Sequence, residues 1–537
     1  MTESWVNLAQ RIGSDLHLEL SGAGGRRAAL IRALRDAVRQ GRLPPGALLP
    51  PYRSLAADLG LARNTVAGAY AELVAEGWLT AHQGSGTRVA RRAAPPPVSA
   101  PGAPRTPAAR PSSAGAADRP GPDGPPHTAP GAAHDLRQGL PDGASFPRAA
   151  WLTAARRAMR TAPHEVFGPG DPQGRPELRR ALAEYLARVR GVRTAPERIV
   201  VCSGVGHALR LLFGGGVHGP VLRGPLGVEA YGLGFHRALL AAAGVRTVPL
   251  GVDADGARVG ELSGPQAAGG LRTALLTPAH QFPTGGPLAA SRRTAAVSWA
   301  RAGGGLLLED DYDGEFRYDR EPVGAVQGLD PEHVVYLGSV SKSLSPAMRL
   351  GWMVLPGRLV GPVLAAKGER EASTGVLDQL TLAEFLASGH YDRHVRRTRQ
   401  RYRRRRDQLV ATLAERAPHI VPTGVAAGLH AVLRLPPGTE RAAVEAAARH
   451  GVALDGLAAF RHPDATRSSA GGAADDTGPA GTAADGLVVG YAAPPDHAYA
   501  AALDALCRCL PARRGRPAAP ASARPPAPPA SGVRPSS

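Results

Sequence analysis

The sequence of 537 residues predicts a multidomain protein in which a small, mainly α-helical N-terminal block precedes a larger α/β block. Apolar residues repeat at helical spacing within 15–90, whereas 134–511 alternates short apolar strands with helical patterns. Between the blocks, 91–133 is so rich in Pro, Ala, Gly and Ser that it cannot bury a core, which predicts a disordered linker. The same composition predicts a flexible insertion at about 464–485 and a disordered tail at 512–537.

The composition narrows the class of protein. A formal net charge of +19 favours an acidic partner such as nucleic acid, although an arginine-rich composition also raises the charge without any partner. The sequence has neither an apolar run of about 18 residues nor a basic segment leading into an apolar one, which predicts a soluble cytoplasmic protein. Three cysteines cannot form a disulfide framework, and the Cys507–Cys509 pair, without a histidine or further cysteine nearby, does not predict a metal site.

The N-terminal block predicts three helices and a wing. Apolar residues recur at helical spacing between Leu30 and Val38, and a Pro/Gly turn then leads into a short second helix. A third helix carries its apolar residues on one face and leaves Arg63, Asn64 and Thr65 exposed at its start, which is the pattern of a DNA recognition helix. The stretch WLTAHQGSGTRVA then predicts two short strands around a glycine-rich tip.

The stretches LPPYRSLA, ARNTVAGAYAELVAEGWL and QGSGTRVA resemble the winged helix-turn-helix of the GntR family, whose partner is operator DNA. In that family the arginine of the second helix, the residues that open the third helix and the wing contact the DNA. The resemblance implies these DNA-binding residues: Arg53, Arg63, Asn64, Thr65, Gln83 and Gly84. Ala62 departs from the family, which usually has Ser or Thr there, so a helix-capping or phosphate-contacting hydroxyl is missing.

Lys342 is one of only two lysines, since the other 62 of the 64 basic residues are arginines. A guanidinium cannot condense with an aldehyde, whereas a desolvated ε-amine can become a neutral nucleophile. The retention of Lys342 therefore indicates that its amine has a chemical role. The alternative is chance survival, which is also the explanation left for Lys367 on a predicted helix.

The runs RIVVC, RTALLT, GGLLLEDD and HVVYLGS predict a mainly parallel sheet, and sites in such sheets lie at the strand ends. The loop SGVGHAL offers a helix N-terminus to a phosphate, which Ser339, Lys342 and Arg349 can complete. Asp310 can hold a pyridine nitrogen protonated, and Tyr312 can bond a phenolic oxygen. A lysine, a phosphate cradle and these two partners are the requirements of pyridoxal 5'-phosphate.

The segments FGPGDPQGRPELRRALAEYL, TPAHQFPTG, EDDYDGEFRYD and SVSKSLSPAMRLG resemble the fold-type I aminotransferases, and look like the MocR branch of GntR regulators. That branch joins this fold to a winged helix through a linker. The resemblance spans 134–511 and implies an α/β fold-type I PLP-dependent aminotransferase-like domain with a smaller C-terminal α+β subdomain. It also implies a homodimer formed through that domain.

Cofactor roles follow from the same resemblance. Lys342 is implied to form the Schiff base with pyridoxal 5'-phosphate, Asp310 to pair with the pyridine nitrogen and Tyr312 to meet the ring hydroxyl. Asp311 is the alternative to Asp310, because the loop length differs between relatives. The implied phosphate ligands are Ser339, Arg349 and the backbone amides of Val205 and Gly206.

Two of the departures from catalytic aminotransferases bear on enzymatic activity. Phe282 stands where those enzymes commonly carry the Asn of an N-P-T-G sequence, as MocR proteins often have an aromatic residue there. Where related enzymes carry an Arg for the substrate carboxylate, DGLVVGYAAP contains no arginine, and Arg461 is the candidate substitute.

These departures favour a transcriptional regulator that binds DNA, carries pyridoxal 5'-phosphate and senses a small amino compound or the cofactor itself. Little or no transaminase turnover is expected. Two alternatives stay open: a working aminotransferase with an accessory DNA-binding domain, and a DNA-binding protein whose large domain has lost the cofactor and only dimerises.

Overall fold

A computed structural model describes residues 25–82, 86–90, 132–215, 219–264, 270–318, 324–368, 374–467 and 485–512. Several sequence predictions lie outside these ranges: residues 15–24 of the first block, wing residues Gln83 and Gly84, the linker up to 131, the insertion over 468–484 and the tail from 513 onward. Of the helices in the described part of the chain, none combines the length and the apolar character needed to cross a bilayer.

The N-terminal block consists of helices α1 (Arg26–Arg39), α2 (Tyr52–Asp58) and α3 (Arg63–Ala75), followed by strands β1 (Leu79–His82) and β2 (Gly86–Val89). The two strands are antiparallel, with Leu79 opposite Val89. This is the predicted winged helix.

One apolar core holds the winged helix together. Leu30 and Leu34 of α1 pack with Val66 and Leu73 of α3 and with Trp78, and all five side chains are at most 3% exposed. Burial of each such side chain contributes about 1.5–3 kcal/mol. The stripe read from the sequence is therefore the face on which α1 packs against α3.

The larger block is built on a seven-stranded sheet of β4 (Ile199–Cys202), β5 (Leu226–Glu229), β6 (Thr247–Leu250), β9 (Thr273–Leu276), β10 (Leu306–Asp310), β11 (Val334–Ser339) and β12 (Gly351–Val354). The strand order is β4-β12-β11-β10-β9-β5-β6. All neighbours are parallel except β12, which is antiparallel to both β11 and β4. A small hairpin pairs β7 (Val252–Asp253) with β8 (Gly256–Ala257).

Helices cover both faces of this sheet. The helices of this block are α4 (Arg148–Thr161), α5 (Pro176–Val189), α6 (Val205–Phe213), α7 (Gly234–Ala242), α8 (Ala290–Gly303), α9 (Gly357–Lys367), α10 (Val376–Ala387) and α11 (His390–Arg416). From Tyr402 onward, α11 packs instead in a core formed with the C-terminal part of the chain. Successive residues of β4 enter different cores, Val200 with the α6 side and Val201 with the α5 side. Burial on both faces explains why the strands read as continuous apolar runs.

The C-terminal part forms the smaller α+β subdomain implied by the sequence. Its antiparallel sheet, ordered β13-β14-β17-β16, comprises β13 (Pro422–Thr423), β14 (His430–Arg434), β17 (Gly486–Gly490) and β16 (Asp455–Gly456). Helices α12 (Glu440–Arg449) and α13 (Asp496–Cys509) accompany it. Strand β3 (His134–Asp135) pairs with β15 (Val452–Ala453), so the segment that follows the predicted linker is held by the subdomain.

Short 3-10 helices complete the described chain. They are Gly143–Ser145, His164–Phe167, Pro196–Arg198, Val259–Ser263, Val326–Gly328, Pro346–Met348, Leu457–Phe460 and Pro463–Arg467. The Pro346–Met348 turn lies between β11 and β12 and follows the loop that carries Lys342.

Candidate functional site

A cavity opens where β5, β9 and β10 end, and the loop after β11 brings Lys342 into its wall. Three residues predicted from the sequence line it together: Lys342, Asp310 and Tyr312. Carboxyl ends of parallel strands meet at one edge of a sheet, which is why residues from distant segments converge here.

Lys342 contacts a segment that the sequence did not connect with it. Its Nζ donates to the backbone oxygen of Gly139 at 2.6 Å. Gly139 has a φ of +79°, and a Cβ there would lie 2.8 Å from Nζ, so glycine suits both the backbone and the contact. Burial lowers the pKa of Lys342, while the nearby carboxylates of Asp313 and Asp310 oppose that shift. A lowered pKa favours the neutral, nucleophilic amine.

Asp310 ends β10 and Asp311 follows it, and the two side chains face different environments. Asp311 Oδ2 lies 2.6 Å from Arg190 Nε and accepts a hydrogen bond from Tyr336 Oη at 2.6 Å. Asp310 is 5% exposed and lines the cavity, and its Oδ1 has no hydrogen-bond partner among the described residues. Burial, reinforced by Asp311, raises the pKa of Asp310 to about 7 although Lys342 opposes the shift.

Tyr312 is partly buried and contacts the buried polar side chains of His280 and Asp313. Its Oη is 2.9 Å from Nδ1 of His280, and that nitrogen is 2.8 Å from Oδ2 of Asp313. The ring of Phe282 meets the Tyr312 ring edge-on, with 5.8 Å between centroids. Burial raises the pKa of Tyr312 well above its usual value, so the phenol is a proton donor at neutral pH. Sequence reasoning missed His280, although it stands within TPAHQFPTG.

The predicted phosphate ligands lie at the ends of neighbouring strands. Ser339 is opposite Gly351 in β12, and Gly351 is opposite Cys202 at the end of β4. Helix α6 begins at Val205, so the predicted amides of Val205 and Gly206 are at a helix N-terminus, which favours anions.

Arg349 approaches this group of residues from the loop before β12. Its Nη2 lies 3.5 Å from Ser203 Oγ, and its side chain is exposed. Its φ of 50° places it in the left-handed region, which costs a non-glycine residue about 1–2 kcal/mol. Such strained residues cluster at binding sites.

The cavity also contains groups that the sequence did not reveal. Glu229 Oε2 accepts from Thr277 Oγ1 at 2.5 Å, and burial raises its pKa to about 7. Arg237 lines the cavity but donates to the backbone oxygens of Gly232 at 2.7 Å and of Phe460 at 3.0 Å. The backbone of Arg461, the candidate carboxylate partner, forms a bridge with Tyr231, which lines the cavity.

The other lysine has a structural contact. Lys367 closes α9, is 5% exposed, and donates from Nζ to the backbone oxygens of Val201, at 2.7 Å, and of Pro172. These contacts tie α9 to β4 and to the preceding loop. Burial lowers the pKa of Lys367, yet its ammonium is satisfied by carbonyl oxygens.

The four predicted DNA-binding residues that the structure describes lie on the surface of the winged helix. Arg53, Arg63 and Asn64 are exposed and Thr65 is partly exposed. The Arg63 guanidinium carbon lies 5.3 Å from the ring centroid of Tyr52, which the sequence reasoning did not single out. Arg63 and then Arg53 lower the pKa of the Tyr52 hydroxyl, so three side chains form one cationic surface.

Ala62 is the N-cap of α3, and its side chain offers no capping hydrogen bond. This is the departure noted in the sequence. The first N–H groups of α3 therefore lack the side-chain acceptor that Ser or Thr provides.

Comparisons with known proteins divide the chain in the same way. Residues 27–89 match the bacterial regulatory proteins of the gntR family, and residues 135–219 and 259–478 match aminotransferase class I and II. The pyridoxine biosynthesis transcriptional regulator PdxR of Corynebacterium glutamicum is 32% identical over 422 residues, 75% of this chain and 82% of that protein. The probable rhizopine catabolism regulatory protein MocR of Rhizobium meliloti is 33% identical over 398 residues, covering 71% and 76%.

Solved structures show the same fold for the large block. Kynurenine aminotransferase of Pyrococcus horikoshii aligns with a TM-score of 0.60 at 22% identity over 71% of this chain and 90% of that one. An archaeal alanine:glyoxylate aminotransferase aligns with a TM-score of 0.60 at 22% identity over 70% and 90%. The predicted fold class is thus confirmed.

Proposed function

This chain belongs to the helix-turn-helix transcriptional regulators that join a GntR domain to an aminotransferase class I and II domain, and we propose that it binds pyridoxal 5'-phosphate and senses a small amino compound or the cofactor itself. In this proposal the winged helix binds operator DNA, and the large domain forms a cytoplasmic homodimer whose cavity holds the cofactor. The relatives' regulatory names and the aminotransferase fold support it.

One observation carries the cofactor proposal. A lysine with a lowered pKa and a buried carboxylate with an unpartnered oxygen line the same cavity. A buried polar atom without a partner costs about 1–3 kcal/mol, so a ligand that donates a hydrogen bond to Asp310 recovers that energy. A protonated pyridine nitrogen is such a donor, and the residues present therefore fit the group.

When bound, pyridoxal 5'-phosphate supplies an aldehyde that condenses with amines and a ring that withdraws electrons from the new bond. Lys342 would hold the aldehyde carbon, Asp310 would accept a hydrogen bond from the protonated ring nitrogen, and Tyr312 would donate a hydrogen bond to the ring hydroxyl. Because burial keeps the Tyr312 phenol protonated, it can serve as that donor over the physiological pH range.

The phosphate is assigned to the neighbouring strand ends. Ser339 and the amides of Val205 and Gly206 offer neutral donors, while Arg349 offers a charge. Charge-assisted hydrogen bonds are roughly twice as strong as neutral ones. Arg349 is therefore the largest single contributor that we assign to the phosphate.

The contacts of the cavity arginine favour sensing over turnover. Transamination needs an amino acid held in a fixed pose, normally by a bidentate Arg on its carboxylate. Arg237 lines the cavity, but its guanidinium is engaged with the carbonyl oxygens of Gly232 and Phe460. Loss of a charged hydrogen-bonding partner costs about 1.5–3 kcal/mol, which is tenfold or more in binding.

The deciding experiment measures chemistry and DNA binding on the same protein. Amino acids and amines are screened with a 2-oxo acid acceptor, while absorbance, product and binding to DNA flanking the gene are followed. We expect a spectral change and an altered DNA affinity without sustained product formation. Multiple turnover with unaltered DNA affinity would instead establish the aminotransferase with an accessory DNA-binding domain.

A further inference from the structure

A group of charged and aromatic side chains joins the winged helix to the large domain. Trp78, which follows α3, lies between two guanidinium groups: the Cζ of Arg39 in α1 is 5.2 Å from its ring centroid and the Cζ of Arg188 in α5 is 4.8 Å away. Arg39 Nε also donates to Glu184 of α5 at 2.9 Å. The two domains are thus in direct contact at this point.

Arg188 is the centre of this contact and is nearly inaccessible. It donates to the backbone oxygen of Glu76, immediately after α3, and its Nη2 is 2.7 Å from Asp392 Oδ2. The side chains of Arg188 and Asp392 are 5% and 9% exposed. Glu76 is held in turn by Arg35 of α1, whose Nε is 3.1 Å from Oε2. A buried ion pair of this kind holds its partners in one geometry, because moving either leaves a charge uncompensated.

Asp392 lies in the first turn of α11, and its neighbours in that turn contact the lysine loop. Tyr391 Oη is 2.7 Å from Ser343 Oγ, and His394 Nε2 is 2.6 Å from the backbone oxygen of Ser343. Tyr391 and His394 are 1% and 7% exposed. Ser343 directly follows Lys342 in the chain. One helical turn therefore contacts the lysine loop on one side and, through Arg188, the winged helix on the other.

A second ion pair joins the same helix to the recognition helix. Arg396 Nη2 of α11 is 3.9 Å from Glu72 Oε1 of α3. Glu72 and Glu76 lie at the C-terminal end of α3, whereas Arg63 begins this helix, about 14 Å from Glu72 and about 20 Å from Glu76 along the helix axis. The contacts with the large domain therefore leave the DNA-binding end of α3 uncovered.

We propose that the first turn of α11 couples the state of Lys342 to the orientation of the winged helix. This rests on the proposed function, because Lys342 must exchange the oxygen of Gly139 for the cofactor. Ser343 shifts with its neighbour, Tyr391 and His394 transmit the shift to α11, and the Asp392–Arg188 pair passes it to Glu76 and Trp78. Close-packed interiors transmit such displacements because there is little free volume to absorb them.

The residues proposed to bind DNA stay exposed while the two domains are in contact. The cofactor therefore changes the orientation of the winged helix and not the exposure of its DNA-binding residues. In a homodimer, the orientation of each winged helix sets the spacing of the two recognition helices. Helix-turn-helix dimers bind half-sites at fixed helical spacing, so a small reorientation changes operator affinity.

Hydrogen–deuterium exchange of the full-length protein tests this coupling without a known operator. It is measured with and without pyridoxal 5'-phosphate in the wild type and in three variants, Asp392→Asn, Tyr391→Phe and Glu184→Gln. Asp392→Asn weakens the pair with Arg188, and Tyr391→Phe removes the hydroxyl on Ser343. Glu184→Gln is the matched control, because it removes a carboxylate charge from an arginine pair at the same interface but does not contact α11.

We expect the cofactor to change the exchange of residues 26–39 and 63–79 in the wild type and in Glu184→Gln. The change should be lost in Asp392→Asn and Tyr391→Phe, although all four proteins keep the visible absorbance of lysine-bound cofactor. If Asp392→Asn does not fold, as judged by circular dichroism, Tyr391→Phe alone decides. Bound cofactor with no change in the wild type, or with the same change in Tyr391→Phe, would overturn the coupling. Absence of the absorbance would overturn the proposed function, and the coupling with it.

Discussion

The cavity around Lys342 and the surface around Arg63 place their charged groups in opposite environments. Lys342 contacts Gly139 across 203 residues of sequence, and the groups around it are buried. Arg63 contacts Tyr52 across 11 residues, and both side chains are exposed. The first site exists only when the whole domain is folded, whereas the second is assembled within two adjacent helices.

This difference sets the physical behaviour of each site. Burial shifts the pKa of Lys342 downward and that of Asp310 upward to about 7, so proton binding and covalent chemistry are adjustable in the cavity. At the surface, water and salt screen the guanidinium groups, which act by charge and position. Substitutions in the cavity should therefore change proton binding and covalent chemistry, whereas substitutions at the surface should change the salt-dependent affinity for DNA.

The largest expected effect is at Lys342. Lys342→Arg keeps the positive charge but cannot condense with an aldehyde, so the visible absorbance of lysine-bound pyridoxal 5'-phosphate should be lost completely. Lys367→Arg is the matched control, because it makes the same change at the other lysine and should keep the absorbance. Borohydride reduction followed by mass spectrometry should locate the modified residue at Lys342. Modification elsewhere would refute the assignment.

Arg63→Ala should weaken operator binding by about 1–3 kcal/mol if the side chain reads a base, and should relax specificity at that base. A phosphate contact would instead weaken binding to all sequences alike. Binding is measured by titration at several salt concentrations, because the non-specific DNA affinity of a protein with a charge of +19 rises steeply as the salt concentration falls. Arg441→Ala removes the same charge from a side chain that is 93% exposed on α12, and should leave operator affinity unchanged.

Asp310→Asn tests the electrostatics of the cavity in the cofactor-free protein. The folded state holds a proton on Asp310 up to about pH 7, whereas the unfolded chain releases it near its usual value of about 3.9. Wild-type stability therefore falls as pH rises between these values, by at most about 1.4 kcal/mol per pH unit from this group.

Asparagine has no such proton, so the stability of Asp310→Asn relative to wild type should increase from about pH 4 to 7 and then level off. Urea unfolding at stepped pH measures the difference. Comparing the two proteins is necessary because burial lowers the pKa of His236 and His430 to about 4, which acts in the opposite direction. A difference that is constant with pH would contradict the buried carboxylate.

The smallest effect is expected at the surface. Ala62→Thr supplies the capping oxygen that α3 lacks and should stabilise the winged helix by about 0.5–2 kcal/mol. Ala62→Val has nearly the same shape without the hydroxyl and should give no such gain. Thermal unfolding of the two variants compares them. Equal stabilities would show that capping does not limit α3.

Much of this protein could be predicted from local patterns. Helical spacing predicted α1 and α3, continuous apolar runs predicted the strands of the doubly covered sheet, and the rarity of lysine singled out Lys342. These signals are local because secondary structure depends on side chains a few residues apart. The cofactor and DNA-binding roles of the individual residues stay predictions.

Only the tertiary structure decided which groups meet. The sequence left Asp310 and Asp311 as alternatives, and their different neighbours, a cavity for one and Arg190 for the other, come from segments far apart in the chain. Likewise, nothing in the local sequence indicated that Lys342 contacts Gly139 or that Arg188 contacts Trp78. Periodicity predicts which face of an element is buried, but the partner on that face depends on how the whole chain packs.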